Sequence, residues 1–477
     1  MRLPRPTCCS VPDAGLAAVS GLLLASLFAP FYAWLLGPLA LAPLLAAVLR
    51  SRGPREAAWL GFITGMFFYP LALRWMVNVL NASVLVFWPV FACWLALFTS
   101  LLRALWVRLE GRGNAGALAW TAAAGVFLAG IEYFRAEVWF LSCPWLVLGY
   151  SQAPNDALYQ TLSVWGVYGL SAFLAAFAAA LALASARKAR LPALLMLALF
   201  AAAGYLGMLR YKNFPAEAGR PVKAALVQAE RADLKKLLSL SLTPEARSAD
   251  LLVWPENAFL VPGDDFRAYS DLITKGLKGS RAVAALGSGI KNFENLRNFR
   301  RENFMLFFDG GKVIGRYDKM HPVPFVETGL KGRRRATVVP TRLGVLGPQI
   351  CYDLAFENGS RQAAELGAEI LVSPTLDPEE WGELQHIQHS DMSSARAVET
   401  GLWLVRAASS GRSQIIDPAG RVKAQLENWK TGTLTGIAYL AKGGTFYTRA
   451  GWLFAPLSLL LTAAAAFLLW RTRNGAK

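Results

Sequence analysis

The stretch from Arg342 to Glu357, RLGVLGPQICYDLAFE, joins a short apolar run to one cysteine, Cys351, which an acidic residue, Asp353, follows closely. Short apolar runs bounded by Gly and Pro are typical of buried strands. A lone cysteine is more often a small buried hydrophobe than a nucleophile. The stretch therefore predicts a strand that ends at Cys351, and the rest of the chain decides what the thiol does.

Strand-like and helix-like segments alternate around this stretch, between residues 221 and 440. β-rich runs such as VKAALVQ, DLLVWP and KVIGRYD alternate with helix-like segments at 232–247, 264–279, 358–367 and 388–401. The motifs DGGKV and DPAGRV predict hairpin turns, because Gly and Asp accept the positive φ that such turns need. This alternation predicts a layered α/β domain.

The rest of the chain is too apolar for a soluble protein. Of its 477 residues, 55% are hydrophobic and only 17% are charged. A helix that crosses a bilayer needs about 20 apolar residues. Such runs occur near 12–29, 31–50, 57–79, 82–106, 116–134, 164–185, 191–209 and 452–470. The sequence predicts about eight spans, which divide it into a seven-span region at 1–210, an inserted domain at 211–445, and a final span with its tail at 446–477.

Basic residues in the short connections predict the orientation. They cluster in five segments: Arg2 with Arg5, RSRGPRE, VRLEGRG, ARKAR and RTRNGAK. All five lie on one side of the predicted spans, so the positive-inside rule places both termini in the cytoplasm and the insert outside it. Much of the net charge of +17 lies in these segments, and no aromatic-basic recognition motif accompanies it, which argues against nucleic-acid binding. Cys351 is the one cysteine of the insert, so no disulfide within that domain is expected.

Three ionisable residues follow strand-like runs of the insert. Glu256 follows LLVWP, Lys319 follows VIGRYD, and Cys351 follows LGVLGPQI. Ligands of α/β sheets bind outside the carboxyl ends of strands. A carboxylate that takes a thiol proton, an ammonium that stabilises an oxyanion, and a sulfur nucleophile are together sufficient for acyl transfer.

The same residues carry a resemblance. The segments LLVWPENAF, GRYDKMHPVPFVE and GVLGPQICYD resemble the three catalytic segments of the nitrilase superfamily, which uses a Glu-Lys-Cys triad on an αββα sandwich. With its predicted spans, the whole chain resembles the apolipoprotein N-acyltransferase family, a membrane-embedded branch of that superfamily. The stretches EYFRAEVWFLSCPWLVLGYSQAP and GVYGLSAF are similar to that family's sequence around the fifth and sixth spans.

The resemblance implies a polytopic α-helical membrane bundle with an inserted nitrilase-like α/β domain in the bacterial inner membrane. It implies that Glu256 is the general base, Lys319 its electrostatic partner and Cys351 the nucleophile. Glu327 would be a supporting acid, and a backbone amide near Tyr352 would help to bind the oxyanion. A phospholipid would donate the acyl chain and a diacylated lipoprotein would accept it, without metal or organic cofactor, on a monomeric enzyme.

Three departures from the family pattern concern the acceptor. Asp353 stands where the family usually has glutamate, and LDPEEWG at 376–382 replaces an NDAWFG-like loop, keeping Trp381 and Gly382. The segment from Gln228 to Glu256 is short and has no tryptophan matching one that the family uses near the substrate. These changes predict altered positioning of the incoming amine without an effect on thioester formation. They leave open a membrane-bound amidase or hydrolase on the same fold, and a non-catalytic lipid-binding homologue.

Three further features have both structural and functional interpretations. His386 and His389 have the i,i+3 spacing of two metal ligands on one helix face, but no third ligand is evident. The preferred interpretation is therefore hydrogen bonding near the start of a helix. Glu132 and Arg135 are expected to pair with each other inside the membrane. The run KGRRR at 331–335 is either a solvated loop or a site for a phospholipid phosphate.

Overall fold

The computed structural model describes residues 9–260, 266–292 and 300–474. The chain divides into two compact units, one formed by Met1–Leu209 with Gly451–Lys477 and the other by Arg210–Ala450. Within the described residues, the first unit is helical and the second contains both sheets.

The first unit is built from apolar helices. In chain order they are α1 Val11–Ser26, α2 Ala42–Arg50, α3 Pro54–Ala72, α4 Met76–Leu80, α5 Val84–Leu109, α6 Gly113–Tyr133, α7 Leu162–Ser185, α8 Leu191–Asn213 (which runs on into the second unit), and a C-terminal helix, Phe454–Asn474. Among the described residues, five helical stretches are long and apolar enough to cross a bilayer: Met76–Leu109, Gly113–Val138, Leu158–Ser185, Leu191–Asn213 and Gly451–Arg471. The predicted helical membrane bundle is confirmed, whereas the count of about eight spans stays a prediction.

The second predicted span, at 31–50, differs from a continuous helix. Only a 3₁₀ turn at Trp34–Leu36 and the nine-residue helix α2 form within it. Nine helical residues extend about 14 Å, well short of a hydrocarbon core of about 30 Å. Pro38 contributes to the difference, because it lacks the N–H that a helix interior needs, whereas Pro43 lies in the first turn of α2, where proline is tolerated.

The predicted pairing of Glu132 with Arg135 is wrong. Glu132 Oε1 accepts a hydrogen bond from the Leu148 N–H at 2.9 Å, and Arg135 Nη1 donates to the carbonyls of Cys143 and Trp145 at 2.8 and 2.9 Å. Irregular backbone buried in an apolar unit needs such partners, since no water is there to supply them. The two charged side chains therefore fix the segment from Cys143 to Leu148.

Within its described residues, the second unit contains twelve strands and six helices. The strands are β1 Arg220–Gln228, β2 Leu251–Leu260, β3 Val283–Asn292, β4 Arg300–Asp309, β5 Lys312–Asp318, β6 Val339–Thr341, β7 Gly344–Pro348, β8 Ile370–Thr375, β9 Leu404–Ala408, β10 Ser413–Ile416, β11 Val422–Leu426 and β12 Gly432–Leu440. The helices are α9 Leu234–Ser241, α10 Pro244–Arg247, α11 Phe266–Gly276, α12 Glu357–Glu365, α13 Glu383–Thr400 and α14 Phe446–Arg449.

These elements form an αββα sandwich. The two sheets have the strand orders β12-β1-β2-β3-β4-β5 and β11-β10-β9-β8-β7-β6. Apolar residues of both sheets share the central core, α9 to α11 cover the first sheet, and α12 and α13 cover the second. The strands β1, β2 and β3 are parallel, as are β7, β8 and β9. The predicted α/β sandwich is confirmed.

Candidate active site

Cys351 lies in a tight turn just beyond a central strand. The strand β7 ends at Pro348, and Cys351 opens a 3₁₀ turn, Cys351–Ala355, with a φ of +49°. A non-glycine residue with positive φ is uncommon, and the surrounding structure must hold it there. The side chain is only 3% exposed, and its Sγ lies 3.6 Å from the Leu376 carbonyl oxygen. The sequence predicted the strand to reach Cys351, whereas a turn presents the thiol.

Asp353 holds this turn against the segment that carries Lys319. Its fully buried carboxylate accepts hydrogen bonds from the backbone N–H groups of Ile350, Met320 and His321 at 2.9, 3.0 and 2.7 Å, and from the Tyr317 hydroxyl at 2.9 Å. Burial alone would raise the pKa of Asp353, but the hydrogen bond from His321 and the nearby positive charges lower it. Asp353 therefore ties the turn that carries Cys351 to the segment that carries Lys319.

Lys319 bridges two buried carboxylates. Its Nζ lies 2.7 Å from Glu256 Oε1 and 2.8 Å from Glu327 Oε2, and all three side chains are buried. The amide of Asn303 donates from Nδ2 to both acids, at 2.5 Å to Glu256 Oε1 and 2.9 Å to Glu327 Oε1. The structure thus brings together the predicted acids and lysine, and it adds Asn303, which sequence reasoning missed.

Glu256 lies inside β2 and not at its end. The pairing of β2 with β3 shifts register between Trp254 and Phe259, so the carboxylate projects from an irregular part of the strand. On β3, Gly287 lies against this part of β2. A Cβ at Gly287 would lie 2.1 Å from the Pro255 carbonyl oxygen. The close approach of two backbones at this point therefore requires glycine.

The pKa values of the two acids move in opposite directions. Burial and the charge of Glu327 raise the pKa of Glu256, although Lys319 opposes them. Burial also acts to raise the pKa of Glu327, but Lys319 and the Val323 N–H outweigh it and lower that pKa. When two carboxylates share one cation, one is favoured as the anion and the other becomes the better proton acceptor. With its raised pKa, Glu256 is the better proton acceptor of the two acids.

The thiol of Cys351 rests in its protonated form. Burial raises its pKa well above the ordinary value, the charge of Glu256 raises it further, and Lys319 only partly offsets them. Burial alone would lower the pKa of Lys319, but its two carboxylate partners raise it well above the ordinary value, so the ammonium is permanent. Chemistry at Cys351 therefore needs a base that removes its proton as it reacts.

The remaining predicted residues lie close to this group. Tyr352 is buried in the 3₁₀ turn beside Cys351, and its ring packs edge-on against Phe356. The run at 331–335 is exposed, and within it the Arg333 side chain pairs with Asp318 at 2.5 Å. The backbone N–H of Arg333 also donates to the Lys319 carbonyl, so the middle of the exposed basic run lies next to the backbone of Lys319.

The two histidines lie in α13, which begins at Glu383 and so earlier than predicted. His386 contacts the Pro378 carbonyl at 2.9 Å, and His389 Nδ1 contacts Asp377 Oδ1 at 2.7 Å. Ligand-type atoms of Cys351, Asp377 and His389 lie within 4.8 Å of one another. The Arg406 guanidinium, 2.5 Å from Asp377 Oδ2, already occupies the place beside this carboxylate that a cation would take, so the cluster does not fit a metal ion.

A cysteine, a lysine and two glutamates at one edge of an αββα sandwich define a carbon-nitrogen hydrolase type of domain, and the sequence model of that family, Carbon-nitrogen hydrolase, matches residues 223–442. The model of the Apolipoprotein N-acyltransferase N-terminal domain matches residues 20–181. An apolipoprotein N-acyltransferase of Geobacter metallireducens is 30% identical over 99% of this chain and 98% of its own length, and one of Pseudomonas paraeruginosa is 31% identical over 96% and 95%. The chain belongs to the apolipoprotein N-acyltransferase family, as the sequence resemblance predicted.

Solved structures match about half of the chain, at lower sequence identity. A carbon-nitrogen hydrolase from Helicobacter pylori has a TM-score of 0.40 and 21% identity, with 50% of this chain and 94% of that chain covered. A Saccharomyces cerevisiae member of the nitrilase superfamily has a TM-score of 0.38 and 20% identity, with 46% and 90% covered.

Proposed function

We propose that this protein transfers an acyl chain from a membrane phospholipid, through a thioester on Cys351, to the N-terminal amine of a diacylated lipoprotein. The observation that carries the proposal is the buried group in which the Lys319 ammonium forms ion pairs with Glu256 and Glu327. The charge of the same ammonium acts to lower the pKa of the Cys351 thiol. Family membership supports the choice of acceptor, because the curated relatives are named apolipoprotein N-acyltransferases.

In the first half of the reaction, Glu256 takes the proton of Cys351 as the sulfur attacks an ester carbonyl of the phospholipid. The Lys319 ammonium and a backbone N–H near Tyr352 stabilise the negative charge that develops on the carbonyl oxygen. The ester C–O bond then breaks, and Glu256 returns the proton to the departing lysophospholipid oxygen. An acyl thioester remains on Cys351.

In the second half, the neutral α-amine of the lipoprotein attacks the thioester carbonyl. Glu256 takes a proton from the attacking nitrogen, the C–S bond breaks, and the proton passes to the Cys351 sulfur. The products are an N-acylated lipoprotein and the free thiol. Glu327 keeps its charge throughout and holds the Lys319 ammonium in place, which is the supporting role that its lowered pKa favours.

The proposal places the second unit outside the cytoplasm, in a protein of the bacterial inner membrane. The five basic segments support this orientation, and the long apolar helices support a membrane location. One chain supplies the whole buried group, which supports a monomer.

A reporter inserted at Gly311, in the exposed turn between β4 and β5, tests this orientation. We expect alkaline phosphatase at this position to be active and a reporter that functions only in the cytoplasm to be silent. The same reporters fused after Lys188, in a predicted cytoplasmic loop, should give the opposite result. Activity of the cytoplasmic reporter at Gly311 would invert the proposed topology.

Hydrolysis is the second candidate, because the family's NDAWFG-like loop is replaced here by LDPEEWG. Single-turnover kinetics on the preformed thioester separate the two activities. We expect a diacylated lipopeptide to accelerate loss of the acyl group from the protein and to gain one acyl chain itself. If the thioester decays to free fatty acid at the same rate with and without lipopeptide, the protein is a hydrolase.

A further inference from the structure

The loop at 376–382, which departs from the family pattern, begins at Leu376, and the backbone of this residue contacts both Glu256 and Cys351. Leu376 follows β8, the parallel neighbour of β7, and its N–H donates to Glu256 Oε2 at 2.9 Å. Its carbonyl oxygen lies 3.6 Å from Cys351 Sγ. The sequence suggested an effect on the amine acceptor alone, whereas these contacts connect the loop to the groups that form the thioester.

Asp377 fixes the peptide that makes these contacts. Its carboxylate is fully buried, with Oδ1 at 2.7 Å from His389 Nδ1 and Oδ2 at 2.5 Å from Arg406 Nη2. Its backbone N–H donates to Ser409 Oγ at 3.1 Å, and its carbonyl accepts from Ser410 Oγ at 2.5 Å. The residue is thus held at both its side chain and its backbone, immediately after Leu376.

The charge of Asp377 by itself does not help the thiol to ionise. Burial would raise the pKa of Asp377, but His389 and Arg406 lower it, so the carboxylate stays ionised. This negative charge raises the pKa of Cys351. Asp377 therefore disfavours the thiolate through its charge. Any contribution of Asp377 to the reaction comes from the geometry that it imposes on the loop.

A glycine leaves room for this carboxylate. A Cβ at Gly411 would lie 2.3 Å from Asp377 Oδ2 and 2.9 Å from its Cβ. A side chain at position 411 therefore has to displace Asp377 or the backbone. The space for Asp377 is defined on one side by His389 and Arg406 and on the other by this glycine.

We propose that Asp377 is a positioning residue for acylation of Cys351: anchored by His389 and Arg406, it holds the Leu376 peptide so that its N–H orients Glu256 while its carbonyl faces Sγ. The inference rests on the proposed roles of Glu256 and Cys351. It assigns to a residue of the 376–382 loop a function in the first step of the reaction.

The variant Asp377→Asn tests this role in the full-length protein in nanodiscs. An amide cannot accept from both His389 and Arg406 as the carboxylate does, so the Leu376 peptide should shift. In single-turnover acylation by phospholipid, we expect the saturating rate constant to fall roughly 10- to 100-fold, because displacements of about 1 Å have effects of this size. The phospholipid concentration that gives half the maximal rate should not change, since Asp377 is fully buried and has no surface on which a lipid could bind.

Asp417→Asn is the matched control. Asp417 is an equally buried aspartate of the same unit, and its carboxylate accepts from the N–H groups of Ala419 and Arg421. We expect this variant to acylate at the wild-type rate. A similar loss of rate in the control would show a general effect of removing a buried charge, and it would overturn the specific role of Asp377.

Gly411→Ala provides a second variant that leaves the charge of Asp377 intact but displaces it. It should slow acylation in the same way, and it decides the question if Asp377→Asn does not fold. Folded variants that acylate at the wild-type rate, or that change only the half-saturating lipid concentration, would overturn the inference. If wild-type protein forms no adduct, the proposed function itself fails; if it forms one and both variants match it, only the positioning role fails.

Discussion

Replacing Cys351 with serine is expected to abolish the hydroxylamine-labile acyl adduct that the wild-type protein forms with phospholipid. A serine hydroxyl is a far weaker nucleophile in a site with one buried carboxylate base, and loss of a nucleophile typically slows such reactions by more than about 1,000-fold. The change is nearly isosteric at a position that is 3% exposed, so the fold should persist. Intact-mass spectrometry before and after hydroxylamine measures the adduct.

Cys143→Ser is the control for this experiment. Cys143 is another free cysteine and lies in the helical unit. Its backbone carbonyl, and not its thiol, accepts the hydrogen bond from Arg135. This variant should form the adduct as the wild-type protein does. An undiminished hydroxylamine-labile adduct in Cys351→Ser would place the nucleophile elsewhere.

Glu256→Gln and Lys319→Met are each expected to prevent adduct formation, for different reasons. The glutamine cannot take the thiol proton, and the pKa of Cys351 is raised so far that little thiolate forms without a base. The methionine removes the cation that would stabilise the oxyanion, an effect typically worth a factor of about 100 to 1,000. Acylation rates from quenched time courses, compared at equal amounts of folded protein, measure both losses.

Controls from the same unit separate these effects from general damage. Glu369 accepts a hydrogen bond from the Val345 N–H away from the site, and Lys312 is exposed at the start of β5. Glu369→Gln and Lys312→Met should acylate normally. Normal acylation by either Glu256→Gln or Lys319→Met would contradict the assignment of the base and its cationic partner.

The sequence indicated this candidate site because each of its main groups follows an apolar run. Lys319 comes directly after β5 and Cys351 lies three residues after the end of β7, and residues beyond such runs gather at one edge of a sheet. Glu256 was expected at a strand end but lies in a register shift, which depends on the backbone of β3 at Gly287. No local pattern around Glu256 reveals that shift.

The polar network around the site could not be predicted from the sequence. Asn303 joins Glu256 and Glu327 across two strands and a loop, and Asp377 joins α13 to β9 through His389 and Arg406. These contacts connect residues far apart in the chain, whereas periodicity reports only neighbours on one element.

Hydropathy predicted the membrane helices better than the segments between them. The run Val84–Leu109 is one continuous helix although it contains Pro89, whereas the run at 31–50 forms only a 3₁₀ turn and the nine-residue helix α2. The spacing of Glu132 and Arg135 indicated mutual pairing, but both groups instead bond the backbone of the buried segment after α6. Unsatisfied backbone groups compete for charged side chains, and the spacing of two residues on a helix does not report that competition.

Peptide mapping of the wild-type protein through one catalytic cycle tests the proposed chemistry most directly. After incubation with phospholipid, the peptide that contains Cys351 should carry one acyl chain through a hydroxylamine-labile bond. After addition of a diacylated lipopeptide, that mass should leave the peptide and appear on the lipopeptide amine. Acylation of the lipopeptide without any acyl group on the Cys351 peptide, under quench conditions that preserve thioesters, would contradict the thioester mechanism.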